Sequence, residues 1–150
     1  MIMVRHIENG TVIDHIEAGR ALQVLRIIGG PNDSTVVVAM NVPSTKYRRK
    51  DILKMENVYV DEKKLDLISI IAPKATINLI KDGKVVEKRR VELPPEVTGI
   101  LKCLNPTCIT NKEREPVTSK FKVERNPLRL ICEYCNKEFE ASTLLKELSL

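Results

Sequence analysis

Four cysteines in the last third of the chain carry the strongest chemical signal: Cys103, Cys108, Cys132 and Cys135. They form a C-x4-C pair and a C-x2-C pair separated by 23 residues. Each pair fits on a short turn, so two sulfurs from each turn can converge on one tetrahedral ion. Asn105-Pro106 inside the first pair and Glu133-Tyr134 inside the second suit such turns. The expected occupant is one structural Zn²⁺ per chain, since four thiolates leave no open coordination position for catalysis. Iron or another metal, or two disulfides, are the other readings of the pattern. A segment of about 50 residues buries too little surface to fold securely alone. Metal binding can contribute on the order of 10–16 kcal/mol of apparent folding free energy.

A second set of candidates is a group of cations and one acid in the first two thirds. In the run Lys50–Glu56, Lys50, Ile52 and Lys54 share one strand face and Asp51, Leu53 and Met55 the other. Lys50 and Lys54 stand about 13 Å apart by the strand rise, enough to bracket a nucleotide from base to phosphates. Lys88 falls on a later strand where it can project beside them, Asp14 offers a carboxylate for ribose hydroxyls, and His15 offers a donor near phosphate. Lysines on a strand face are ordinarily a solvated surface or edge protection, so these residues alone do not assign a ligand.

Machinery for catalysis is missing from the sequence. The only histidines are His6 and His15, and there is no GxSxG elbow, P-loop or GxGxxG. With the cysteines committed to metal, no nucleophile-and-base set is left, and a non-catalytic binding role follows.

These residues need elements to position them. Ile2–Ile7 reads as a strand, Gly10 as a turn, and Thr11–His15 as the approach to a helix from about Glu17 to Ile28. Ala18, Ala21, Leu22, Leu25 and Ile28 follow helical spacing, and Gly29-Gly30-Pro31 is a stop. Thr35–Val42 reads as a buried β-branched strand and Lys50–Val58 as the next. Asp61 can cap a second helix bearing Leu65, Ile68 and Ala72, ended by Pro73. Ala75–Lys81 and Lys84–Val91 read as a hairpin around Asp82-Gly83. The order is βαββαβ plus one strand, which predicts an α+β chain. A ferredoxin-like N-terminal domain is joined to a small all-β four-cysteine zinc-binding C-terminal domain. The expected boundaries are residues 1–93 for the first domain, 94–98 for a linker around Pro94-Pro95, and 99–150 for the second.

Composition narrows the partners. The net charge of +5 invites a nucleic-acid reading, but it is spread along the chain. Residues 1–98 hold 16 Lys and Arg against 13 Asp and Glu, and residues 99–150 hold 9 against 7. Four thiolates and one Zn²⁺ would bring the second part to zero, a poor phosphate-backbone binder. Five aromatic residues leave little for base stacking. A zinc-ribbon nucleic-acid-binding protein is the main rival, and the expectation is no nucleic acid. No signal peptide or membrane-length apolar run is visible, so a soluble cytoplasmic protein is expected.

Gly10-Thr11-Val12-Ile13-Asp14-His15-Ile16, Arg49-Lys50-Asp51, Ala72-Pro73-Lys74-Ala75-Thr76-Ile77-Asn78 and the two cysteine pairs recur in order in one known family. On these motifs the chain resembles the regulatory chain of aspartate carbamoyltransferase along essentially its whole length. The resemblance implies a non-catalytic subunit of pyrimidine biosynthesis that binds CTP and ATP as allosteric effectors. By motif position, Val4, Ile7 and Val12 would line the base and ribose end, and Asp14 and Lys54 would contact ribose and base. Lys50, Ile52, Asn78, Ile80 and Val85 would form nearby wall, with Lys88 and His15 facing the triphosphate. The resemblance further implies regulatory dimers and a zinc domain that contacts catalytic chains, with Asn105 and Lys137 at interface positions. The chain departs from the family at His6 and Gly83 near the base, and at Thr107 and Asn136 in the zinc domain.

Overall fold

The computed structural model describes residues 7–30, 32–46, 48–114 and 116–146. The chain divides into two compact units, residues 1–92 and 93–150.

In the first unit the strands are β1 (Gly10–Glu17), β2 (Val36–Pro43), β3 (Arg49–Glu56), β4 (Thr76–Lys81) and β5 (Lys84–Arg90). The helices are α1 (Ala21–Ile28) and α2 (Glu62–Ile71). One antiparallel sheet has the order β2-β3-β1-β4-β5, the ferredoxin-like arrangement with β5 added at one edge. The buried side chains of one sheet face, Thr11, Ile13, Ile16, Leu53, Met55 and Ile77, meet those of the helices, Val24, Leu25, Leu65 and Ile68. Alternation along β3 fixes the other face: Asp51, Leu53 and Met55 are buried, while Lys50, Ile52 and Lys54 are half-exposed.

Local chemistry explains the ends. Asp61 caps α2, its carboxylate accepting from the Lys64 N–H at 2.9 Å. Gly29 closes α1 in the left-handed region at φ 91°. Asp82 and Gly83, at φ 51° and 76°, turn β4 into β5.

Three expectations for this unit are corrected. The segment read as a turn at Gly10 and the approach to a helix is a strand, Gly10–Glu17; of the expected strand Ile2–Ile7 only Ile7 is described, a buried coil residue, and the rest lies outside the described residues. Gly10 is a strand residue between β3 and β4, where an added Cβ would collide with the Met55 carbonyl oxygen. A glycine that admits close backbone approach resembles a turn glycine in sequence. Helix α1 starts at Ala21, leaving Ala18 outside it and Leu22 facing solvent at 51% exposure. Strand β2 is a sheet edge with no fully buried residue, because β-branching reports extended backbone and not burial.

The second unit holds β6 (Glu96–Thr98), β7 (Lys120–Glu124), β8 (Arg129–Cys132), β9 (Glu138–Glu140) and a terminal helix α3 (Ala141–Lys146). Its antiparallel sheet has the order β6-β7-β8-β9. The small core is Phe121, Leu101, Leu130, Leu144 and Val97, with Phe139 edge-on to Phe121 at 6.4 Å between centroids. Glu96–Thr98, expected as linker, is strand: all three of its residues can donate again after Pro95, and Val97 is buried opposite Phe121.

Candidate functional site

The first pair of cysteines lies on the loop after β6, and the second where β8 turns into β9. Local hydrogen bonds shape both turns. The Cys108 N–H donates to the Asn105 carbonyl at 3.0 Å, and the Asn111 amide donates to the carbonyls of Cys103 and Asn105, each at 2.8 Å. On the other side, the Asn136 N–H donates to the Cys132 carbonyl at 2.8 Å, with Asn136 in the left-handed region. The Thr110 hydroxyl donates to the Cys108 sulfur at 3.1 Å.

The four sulfurs all lie within 4.8 Å of one another, with Cys103–Cys135 and Cys108–Cys132 at 3.7 Å. Tetrahedral bonds of about 2.3 Å require sulfur–sulfur edges of about 3.8 Å, so the donor set fits a single ion. All four are free cysteines. Burial pushes the Cys103 thiol up to about 12 against the Asn105 N–H, and burial also raises Cys132. Burial acts the same way on Cys135, but the Lys137 N–H and the Asn105 side chain outweigh it and bring that thiol down to about 7. Three of the sulfurs are fully buried and Cys135 is half-buried.

Asn105 and Lys137, the interface candidates, thus have parts in the first and second cysteine turns respectively. The Asn105 amide oxygen also accepts from the Thr107 N–H and hydroxyl, and Lys137 is exposed while its carbonyl accepts from Cys132.

The second constellation lies on the sheet face away from the helices. The register puts Lys54, Val12, Asn78 and Lys88 on one rung across β3, β1, β4 and β5. Neighbouring strands are about 4.8 Å apart, so the two lysine backbones stand about 14 Å apart across it. Among the described residues neither Lys54 nor Lys88 forms an ion pair. Near one end of the face, Lys50 pairs with Asp14 at 3.0 Å, both side chains at most a quarter exposed. The Asn78 amide donates to the Val12 carbonyl at 3.3 Å.

Two adjacent residues of β1, Asp14 and His15, both serve this face because the strand bulges there. Ile13 pairs with Leu53 and Ile16 with Asp51, so Asp14 and His15 together oppose Ile52. His15 takes φ 57°, its N–H donates to the Asp14 carboxylate at 2.6 Å, and its Nδ1 lies 3.1 Å from the Thr76 hydroxyl. Burial lowers the His15 imidazole below its ordinary 6.5; Asp14 opposes this, and Lys50, Lys46 and Lys88 add to it. Burial and the surrounding cations thus favour the neutral imidazole.

Ile52 and Ile80 are half-buried on the same face, Val85 is exposed at 57% and Ile7 is buried. Val4 and His6 lie outside the described residues. The sequence did not single out Thr76, Lys46 or Thr110. It gave Asp51 no role, although an acid in phase with Leu53 and Met55 is a visible signal.

Residues 2–92 match the family described as aspartate carbamoyltransferase regulatory chain, allosteric domain, and residues 95–144 match its metal binding domain. The chain belongs to the aspartate carbamoyltransferase regulatory chain family. Proteins of that name include one from Korarchaeum cryptofilum, 50% identical over 99% of this chain and 96% of its own length. The one from Thermofilum pendens is 51% identical over 98% and 94%, and the one from Methanocaldococcus jannaschii 51% over 91% of each. All are named as regulatory and not catalytic chains. This regulatory chain is accordingly a non-catalytic subunit with an allosteric domain and a metal-binding domain carrying the cysteine cluster.

Proposed function

We propose that this chain binds CTP and ATP on the helix-free sheet face and transmits their binding to catalytic chains of aspartate carbamoyltransferase, tuning pyrimidine biosynthesis. The observation that carries the reading is the Lys54–Val12–Asn78–Lys88 rung beside the Asp14–Lys50 pair. A nucleoside triphosphate is long and anionic at one end, and it needs separated cations with an acceptor for the ribose between them. Lys88 and His15 take the phosphates, Asp14 and Lys54 the ribose and base, and Val12, Ile52, Asn78, Ile80 and Val85 the wall, with Lys50 holding Asp14. Val4 and Ile7 complete the base end.

The metal of the second domain is zinc, held by Cys103, Cys108, Cys132 and Cys135. Zinc supplies a structural cross-link there and no reaction step. The metal domain docks on catalytic chains through residues that include Asn105 and Lys137, and the allosteric domains pair as a regulatory dimer. A nucleotide changes the partner's activity only by binding its two states unequally, so regulation requires this linkage between sites.

Calorimetry of the purified chain with CTP, ATP and a short oligonucleotide tests the reading. The expected result is saturable triphosphate binding, weakened at least about ten-fold in Lys54→Ala and in Lys88→Ala, a loss of about 1.4 kcal/mol each. Oligonucleotide binding that falls steeply with salt, with no mononucleotide binding, would favour a nucleic-acid module instead.

A further inference from the structure

Asp51 is fully buried, yet it belongs to the strand that carries Lys50 and Lys54. Three backbone N–H groups from beyond β3 converge on it. Gly19 and Ala21 donate to one carboxylate oxygen at 2.8 and 3.0 Å, and Asn41 donates to the other at 2.7 Å. Gly19 and Ala21 lie where β1 passes into α1, and Asn41 lies in β2.

Two bulges flank β3, one on each side: Asn41 lies within the one in β2, and Gly19 and Ala21 follow the one in β1. In β1, Asp14 and His15 oppose the single residue Ile52; in β2, Met40 and Asn41 oppose the single residue Asp51. Each bulge holds a non-glycine residue at φ 57°, His15 in one and Asn41 in the other. Left-handed backbone at such residues is costly and persists only where the surroundings over-determine it. The Asp51 carboxylate is the group that reaches both sides at once.

We infer that Asp51 is a positioning residue for the nucleotide face: by fixing the chain within the β2 bulge and beyond the β1 bulge, it holds Asp14 and His15 on that face. This rests on the proposed nucleotide site. Asp51 touches no ligand, being on the opposite side of β3 from Lys50 and Lys54. Its effect passes through the β1 backbone, whose bulge sets the Asp14–Lys50 and His15–Thr76 contacts. The carboxylate form matters, because an amide of the same shape must turn one N–H₂ toward a backbone donor on one side or the other.

The test compares wild type, Asp51→Asn and Lys54→Ala in the full zinc-loaded chain by CTP calorimetry, with His15 followed by NMR titration. Wild type that fails to bind CTP would overturn the proposed nucleotide site itself. With wild-type binding established, Asp51→Asn is expected to weaken CTP about ten-fold or more while circular dichroism and zinc content hold. Its His15 titration should move toward 6.5 as the imidazole leaves its setting. Lys54→Ala should weaken CTP without that displacement of the imidazole. A purely structural role would lower the melting temperature of Asp51→Asn and leave CTP affinity and the His15 titration unchanged, overturning the inference. Should Asp51→Asn fail to fold, amide exchange in wild type decides. Saturating CTP should then slow Gly19, Ala21 and Asn41 beyond the slowing of the α2 amides, and equal slowing would overturn the inference.

Discussion

His15 concentrates the electrostatics of this molecule in one side chain. Burial and three nearby lysines hold it below its ordinary 6.5, and a bound triphosphate would reverse that balance. The sign follows from linkage: a ligand that raises a group's pKa takes up protons and binds more tightly as pH falls through that range. CTP affinity should therefore rise as pH falls through and below the ordinary 6.5, by no more than about ten-fold per unit. Calorimetry in buffers of different ionisation enthalpy should show proton uptake near pH 6.5 that His15→Gln abolishes. In the unliganded chain the same depression costs stability as pH falls below 6.5, since the unfolded chain then binds the extra proton. The sequence made some of these residues legible and hid others. The cysteines were readable because C-x4-C and C-x2-C turns leave metal chemistry few alternatives. Asp14 and His15 were readable as types, but neighbours on a strand ordinarily point to opposite faces. Only the bulge brings them together, and nothing in a single sequence announces one.

Elements whose ends carry their own hydrogen-bonding chemistry were the legible ones. Asp61 capped α2 and Asp82-Gly83 turned the hairpin, each through a local preference that needs no tertiary contact. Asp61→Ala should cost about 1 kcal/mol, seen as a fall of about 4–8 °C in the allosteric unit's melting temperature. Strand β1 and the start of α1 were misplaced because their limits are set by distant partners. Asp51 receives the N–H groups that open α1, and Gly10 is small because the Met55 carbonyl crowds it. Gly10→Ala should thus destabilise by more than about 1 kcal/mol, measurable by urea denaturation, although alanine normally favours folding over glycine. Strand β6 was missed for a related reason. Three residues after a proline pair carry no pattern, and pairing with β7 alone makes them a strand.

At the level of the whole molecule, the two units differ in what folds them. The allosteric unit has a sheet backed by two helices, whereas the other has a small sheet around Phe121 and a four-sulfur cluster. Chelating the metal should abolish β-sheet circular dichroism from the second unit and release catalytic chains, leaving calorimetric CTP binding within about two-fold of the starting value. Retained assembly after verified metal removal would count against the docking reading. No described helix is long and apolar enough to cross a membrane. The placement of every cysteine after residue 102 has a consequence during synthesis. Translation completes the first 92 residues before any cysteine is added, so the leading unit can mature at the ribosome while the trailing one waits on metal supply. Under the proposed function, a cell starved of that ion would then accumulate orphan chains that soak up effector without governing any enzyme, coupling nucleotide economy to metal nutrition.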